Sequence, residues 1–206
     1  NHINMPVVYI KEVAPDVKLG LWKIEEDVLQ FLSDFSDMKK LFDSEISLYK
    51  SDSRRREQLA VYSLLWKMTN CKIRVLHNED GKPIVNGYNI SISHTRGYAS
   101  VILSKIKNVA VDIEYYSSRV SRIADKFIRE DEFATDIDSQ LINWSAKETV
   151  YKYFSEQNLQ YFDMKLMPFE EFKNTKRVLN LKTGDYQDVY YELNNEYVLT
   201  YTYNND

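Results

Sequence analysis

At 206 residues, the chain is sized for one large domain or two small ones sharing a core, and a net charge of −4 argues against broad nucleic-acid binding. Hydrophobic residues at 44% and charged residues at 28%, with 16 Tyr, 9 Phe and 3 Trp, describe an ordinary folded protein and argue against disorder. One cysteine, Cys71, excludes an internal disulfide and every multi-cysteine metal site, and suits a reducing cytoplasm. No apolar run reaches membrane-spanning length and the N-terminus lacks a basic-then-apolar signal pattern, so no membrane partner is expected.

Taken in order, Asn1–Asn4 read as a remnant ahead of Met5. Val7–Ile10 and Lys18–Ile24 read as strands leading to a helix that starts near Glu25. Ser51-Asp52-Ser53 supplies capping residues for a helix over 54–70, whose Leu59, Tyr62, Leu65 and Trp66 recur at helical spacing and should face the core. Arg54-Arg55-Arg56 falls in its first turn. Cations there oppose the helix dipole, which points either to a bound anion or to a solvated charge run.

Lys72–Leu76 predicts a strand, Asn78–Gly81 a turn beside Lys82-Pro83, and Ile84-Val85 a second short strand. In Asn89–His94 the alternation points Ile90 and Ile92 inward and Ser91 and Ser93 outward. Thr95-Arg96-Gly97 then closes a hairpin into Tyr98–Ser104. His94 and Thr95 thus lie at a hairpin end, where imidazole, hydroxyl and backbone N–H groups can converge on a phosphate; ordinary polar surface is the alternative.

Asn108–Glu114 is the run that organises the chain: four apolar residues alternate into two carboxylates. As a strand it places Asp112 and Glu114 on one face, roughly 6–7 Å apart, within reach of one hard cation directly or through water. The competing reading is a strand end emerging into solvent. Beyond it Arg119, Arg122, Lys126 and Arg129 form a positive stripe on a helix that buries Ile123 and Phe127, with Val120 a further candidate, suited to an acidic protein partner or to plain solvation. The clearest helix spans 139–157, with Trp144, Glu148 and Lys152 on one stripe, read either as a surface ion pair or as a Glu148 that faces the carboxylate strand. Val178–Tyr203 alternates as an antiparallel three-stranded piece turned at Thr183–Asp185 and Asn194-Asn195.

Four blocks read together resemble the Sfp-like 4′-phosphopantetheinyl transferases over about residues 54–172: Gly81-Lys82-Pro83; Ile90-Ser91-Ile92-Ser93-His94-Thr95; Ala110-Val111-Asp112-Ile113-Glu114; and Trp144-Ser145-Ala146-Lys147-Glu148 with Tyr151-Lys152. The resemblance implies an α+β fold of two similar α/β sandwich-like halves, 1–107 and 108–206, related by pseudo-twofold symmetry with coenzyme A in the cleft between them, and a monomer as the expected state. It implies that Phe169–Phe172 continues the core past the helix. It also implies Mg²⁺-dependent transfer of the phosphopantetheine arm of coenzyme A to a serine of an acyl- or peptidyl-carrier protein, in the cytoplasm. On that pattern Asp112 and Glu114 bind Mg²⁺, Glu148 is a third ligand or the base for the serine proton, and Lys152 holds a pyrophosphate oxygen. Lys82, Ser93, His94 and Thr95 hold the adenosine phosphates, helped by one arginine of the run, with Arg55 and Arg56 favoured. The basic stripe is assigned to carrier docking.

The chain departs from the pattern at Ala110, where the family usually has Gly, at Thr95 for Ser, and at Val61-Tyr62, where many relatives have Gly-Arg. These departures motivate an alternative: a non-catalytic module of the same fold that binds coenzyme A or a carrier. An unrelated Mg²⁺-dependent phosphohydrolase is a third reading, and it leaves the Lys82, His94 and Lys152 blocks unused.

Overall fold

The computed structural model describes residues 7–205, so the reading of Asn1–Asn4 lies outside the described residues. Two compact units divide after Ile106. In the first, strands β1 (Val7–Ala14) and β2 (Val17–Lys23) form a hairpin turned at Asp16, which takes a left-handed φ of 61°. The Asp16 carboxylate accepts hydrogen bonds from Ser104 Oγ (2.7 Å) and from the N–H groups of Lys105 and Ile106, tying the turn to the end of the unit. Helix α1 (Val28–Asp34) starts later than expected because Asp27, not Glu25, is its cap: Asp27 and Gln30 exchange side chain-to-backbone bonds of 2.8 Å. A short helix α2 (Lys39–Ser44) precedes the long α3 (Asp52–Thr69), which is capped by Ser51.

Strands β5 (Asn89–Thr95) and β6 (Tyr98–Ser104) complete an antiparallel sheet ordered β1-β2-β6-β5. Helix α3 lies against β2 and β6. It approaches β2 so closely at Gly20 that a Cβ there would come within 2.7 Å of Met68 Sδ and 2.8 Å of Leu64. Leu59, Tyr62 and Leu65 are buried as expected, and so are Val61, Ser63 and Leu64, so the middle of the helix is enclosed on all sides.

Two expectations fail in this unit. Lys72–Leu76 is not a strand; only β3 (Leu76–His77) pairs, with β4 (Pro83–Ile84). The intervening chain is held by α3 side chains instead: the Tyr62 hydroxyl bonds both the N–H and the C=O of Val75, and Trp66 Nε1 donates to Ile73 O at 2.8 Å. Ser91 and Ser93 are buried at 6% and 7% exposure rather than turned to solvent. Their cross-strand neighbours explain it, because Ile102 and Ser100 on β6, and Leu19 and Leu21 beyond them on β2, are fully buried on that same face.

The second unit is a five-stranded antiparallel sheet, ordered β7-β11-β10-β9-β8, with helix α4 (Ile137–Tyr153) lying against β7 and β11. The strands are β7 (Val109–Tyr115), β8 (Met164–Leu166), β9 (Thr175–Asn180), β10 (Tyr186–Leu193) and β11 (Tyr197–Tyr203). The mixed α and β architecture agrees with the expected fold class. Val120, Phe127, Leu141, Ala146, Val150, Met164, Val178 and Val198 form the core. Phe169 and Phe172 do not continue it: at 71% and 63% exposure they sit on an irregular connection outside the sheet, where no packed layer covers them. The segment carrying Arg119, Arg122 and Lys126 is 3₁₀ rather than α-helical over Ser118–Lys126, and it buries Val120 ahead of Phe127.

One buried ion pair ties this unit together. Lys147, fully enclosed on α4, donates to Glu132 Oε1 and to Phe127 O, each at 2.6 Å. Glu132 also accepts from Arg129 N, Asn143 Nδ2 and Leu166 N, so a single carboxylate joins the preceding loop, α4 and β8. Removing one partner of such a pair leaves an uncompensated charge. Glu132→Ala is therefore expected to lower the unfolding free energy by about 3–5 kcal/mol, and the combined Glu132→Leu, Lys147→Met variant by much less, as read from urea denaturation.

Candidate active site

The β7 carboxylates lie where α4 crosses the sheet. Period-two geometry turns Asp112 and Glu114 to the helix side, and α4 meets them with polar rather than apolar side chains. Ser145 Oγ donates to Asp112 Oδ2 at 2.8 Å, and Lys152 Nζ reaches Val111 O at 3.0 Å and Asp112 Oδ1 at 3.4 Å. Asp112 is only 4% exposed. Behind it, Ser145, Thr149 and Thr200 exchange hydroxyl hydrogen bonds of 2.7–2.8 Å in full burial. Thr200 is the β11 residue directly opposite Asp112.

The other two carboxylates are each held by an aromatic donor. Trp144 Nε1 donates to Glu114 Oε1 at 3.1 Å, and the Tyr161 hydroxyl donates to Glu148 Oε1 at 2.7 Å. The two rings are neighbours, 5.1 Å apart, and Phe127 packs edge-on against Trp144 at 4.9 Å. Glu148 and Lys152 therefore do not make the surface ion pair that their spacing allows; each serves a different partner. Burial, then the charge of Asp112, lifts the Glu114 carboxyl from an ordinary value near 4.5 to about 8, against the opposing Trp144 bond. Burial also raises Glu148, with the Asp112 charge adding to it.

Among the described residues no three His, Cys, Asp or Glu side chains stand together as a ready-made metal cage. The donor set nonetheless suits a hard cation. Mg²⁺ takes one or two carboxylates and keeps its waters. Here the charges of Asp112 and Glu148 raise the proton affinity of the desolvated Glu114, and the charge of Asp112 raises that of Glu148. A divalent cation would relieve that repulsion.

The first unit gathers a separate group. Arg54 Nη1 donates to Glu57 Oε2 at 3.2 Å and also contacts His94 Nε2, while His94 Nδ1 lies 3.0 Å from the same Glu57 oxygen. Of the three arginines, Arg54 is the one beside His94. Arg55 instead donates to the carbonyls of Tyr49 (2.7 Å) and Ser47, and Arg56 donates to Glu26 O at 2.6 Å. Those bonds fasten α3 to the chain before it. His94 and Thr95 are half-buried, Ser93 is buried, and Lys82 is exposed on a turn shaped by Asn78 and Gly81, whose φ is 79°. Arg119, Arg122 and Lys126 are exposed, but the Arg129 guanidinium is engaged by Asp131 and by Phe162 O. Sequence reading left Glu57, Ser145, Tyr161 and Thr200 without roles. Glu57 follows Arg54 by one helical turn, a spacing that marks the pair; Tyr161 belongs to no periodic pattern.

These two groups pair buried carboxylates with lysine in one unit and arginine with imidazole in the other, equipment for handling phosphate esters. Residues 108–202 match the family model of the 4′-phosphopantetheinyl transferase superfamily, so the chain is similar to that superfamily over the whole β7–β11 sheet except the last residue of β11. The match contains the Asp112 and Trp144 blocks; the Lys82 and His94 blocks precede it. No curated protein matches the chain.

The Glu114 environment gives a pH signature. A carboxyl that titrates near 4.5 when unfolded and near 8 when folded binds more protons in the folded state between those values, so stability falls as pH rises through that window. Denaturation of metal-free protein is expected to show this decline, and Glu114→Gln to flatten it. Added Mg²⁺ is expected to restore stability most at the alkaline end, where the carboxylate is charged.

Proposed function

We propose that the protein transfers the 4′-phosphopantetheine group of coenzyme A to a serine of an acyl- or peptidyl-carrier protein. The observation that carries the reading is that Glu114 feels the charges of Asp112, Glu148 and Lys152, on the β7 and α4 segments inside the family match. In the reaction the serine oxygen attacks the pyrophosphate phosphorus that bears the pantetheine arm. The bond from that phosphorus to the bridging oxygen breaks, and adenosine 3′,5′-bisphosphate leaves with the electron pair. The serine proton needs an acceptor and the developing charge needs cationic neighbours.

Asp112 and Glu114 are the residues that would hold Mg²⁺, with Glu148 as third ligand or as the acceptor of the serine proton. When bound, the ion supplies charge neutralisation on the pyrophosphate oxygens. Lys152 is one helical turn from Glu148 and already within reach of Asp112. It is a compact point charge suited to a phosphate oxygen. In the first unit, Arg54, His94 and Lys82 are proposed to hold the adenosine phosphates, with Ser93 and Thr95 supporting the hairpin end. Arg54 takes the part first given to Arg55 or Arg56, because those two guanidiniums are spent on backbone carbonyls. Arg119, Arg122 and Lys126 are proposed to meet an acidic carrier protein, and the cytoplasm is the proposed compartment.

Two measurements test the reading. Mass spectrometry of an apo acyl-carrier protein incubated with this protein, coenzyme A and Mg²⁺ is expected to show the gain of one phosphopantetheine, absent with EDTA or with Asp112→Ala. Absence of the gain across several carriers, with coenzyme A still bound, would favour a non-catalytic binding module. Calorimetric titration with coenzyme A is expected to show Arg54→Ala and His94→Ala each binding about tenfold more weakly, a loss of roughly 1.4 kcal/mol. Arg55→Ala is expected to bind normally and to melt earlier.

A further inference from the structure

Tyr161 lies outside all four sequence blocks, in a 3₁₀ turn (Tyr161–Asp163) just ahead of β8. Its hydroxyl hydrogen is committed to one oxygen of Glu148 at 2.7 Å, and its ring lies on the indole of Trp144, which in turn holds Glu114 at 3.1 Å. The turn itself is anchored on both sides. Arg129 Nη1 donates to Phe162 O at 2.5 Å, and Gln160 and Asp163 bond each other across the turn. Four residues after Phe162, Leu166 N is bound by Glu132, which is locked to Lys147, the residue next to Glu148 on α4. The phenol is thus delivered to Glu148 by a frame that α4 itself holds in place.

We propose that Tyr161 is the positioning residue for Glu148: the phenol fixes one carboxylate oxygen and leaves the other to serve the reaction, while its stacking on Trp144 sets Glu114 by the same frame. A carboxylate on a flexible two-carbon stem samples several rotamers, and a single short hydrogen bond from an anchored ring selects one of them. The inference rests on the transferase reading above and adds to it the group that orients the third acid.

The test compares wild type, Tyr161→Phe and Tyr161→Leu in three assays: Mn²⁺ binding to the protein alone by electron paramagnetic resonance, transfer to an apo carrier protein, and thermal melting. Tyr161→Phe keeps the ring and its stacking and loses only the hydroxyl. It is expected to lower kcat about 10–100-fold and weaken Mn²⁺ binding about tenfold, with the KM for coenzyme A and the far-ultraviolet circular dichroism unchanged. A Tyr161→Phe variant that binds Mn²⁺ and turns over like an active wild type overturns the inference and leaves the transferase reading standing. The inference falls equally if Tyr161→Phe is normal and only Tyr161→Leu is impaired, since the ring would then serve packing alone. A wild type that neither binds Mn²⁺ nor transfers overturns the underlying reading, and this inference with it.

Discussion

Asp112 is an ionisable side chain in the middle of an enclosed strand, and much of the second unit is arranged to make that tolerable. A buried carboxylate without donors costs on the order of several kcal/mol, so the helix crossing it must present hydrogen bonds where a core helix normally presents aliphatic side chains. Ser145 and Lys152 supply them; Thr200 satisfies Ser145 in turn, and Thr149 bonds Thr200. The face of α4 that meets β7 is consequently polar at its centre. Its apolar grip comes from Leu141, Ile142, Ala146 and Val150.

A helix whose contact face is partly spent on chemistry needs other anchors. The Lys147–Glu132 pair provides one, on a different side of the helix from the acids and sealed from water. The aromatic trio Phe127, Trp144 and Tyr161 provides another, and its two polar rims end on Glu114 and Glu148. Packing and site geometry are therefore one construction here: the groups that hold the loop and β8 against α4 also fix where the carboxylates point. The first unit follows a similar economy. Arg55 and Arg56 bond carbonyls and fasten α3, which leaves Arg54 to share Glu57 with His94.

The departures from the family pattern also have local explanations. Tyr62 is buried, and its hydroxyl takes both backbone groups of Val75, so it organises the chain between α3 and β3 rather than any anion. Ala110 is fully buried on β7 opposite Thr202. Its methyl group sits in a packed strand with no distortion of the pairing register around it.

By itself the sequence determined most element types and where the acids fall on them. Alternation placed Asp112 and Glu114 on one strand face, helical spacing aligned Trp144, Glu148 and Lys152, and Ser51 and the Thr95–Gly97 turn marked real boundaries, because these depend on periods of 2 and 3.6 and on local capping. Tertiary structure alone decided which groups meet. Ser91 and Ser93 are buried because the neighbouring positions of β6 and β2 on that face are themselves enclosed, Phe169 and Phe172 are exposed because no layer covers their loop, and 72–75 is not a strand because α3 side chains bond the backbone of Ile73 and Val75. The partners of the acids belong to the same category. Tyr161 to Glu148, Thr200 to Ser145 and Glu132 to Lys147 span 13 to 55 residues of chain, and contacts at such separations leave no periodic trace in a single sequence.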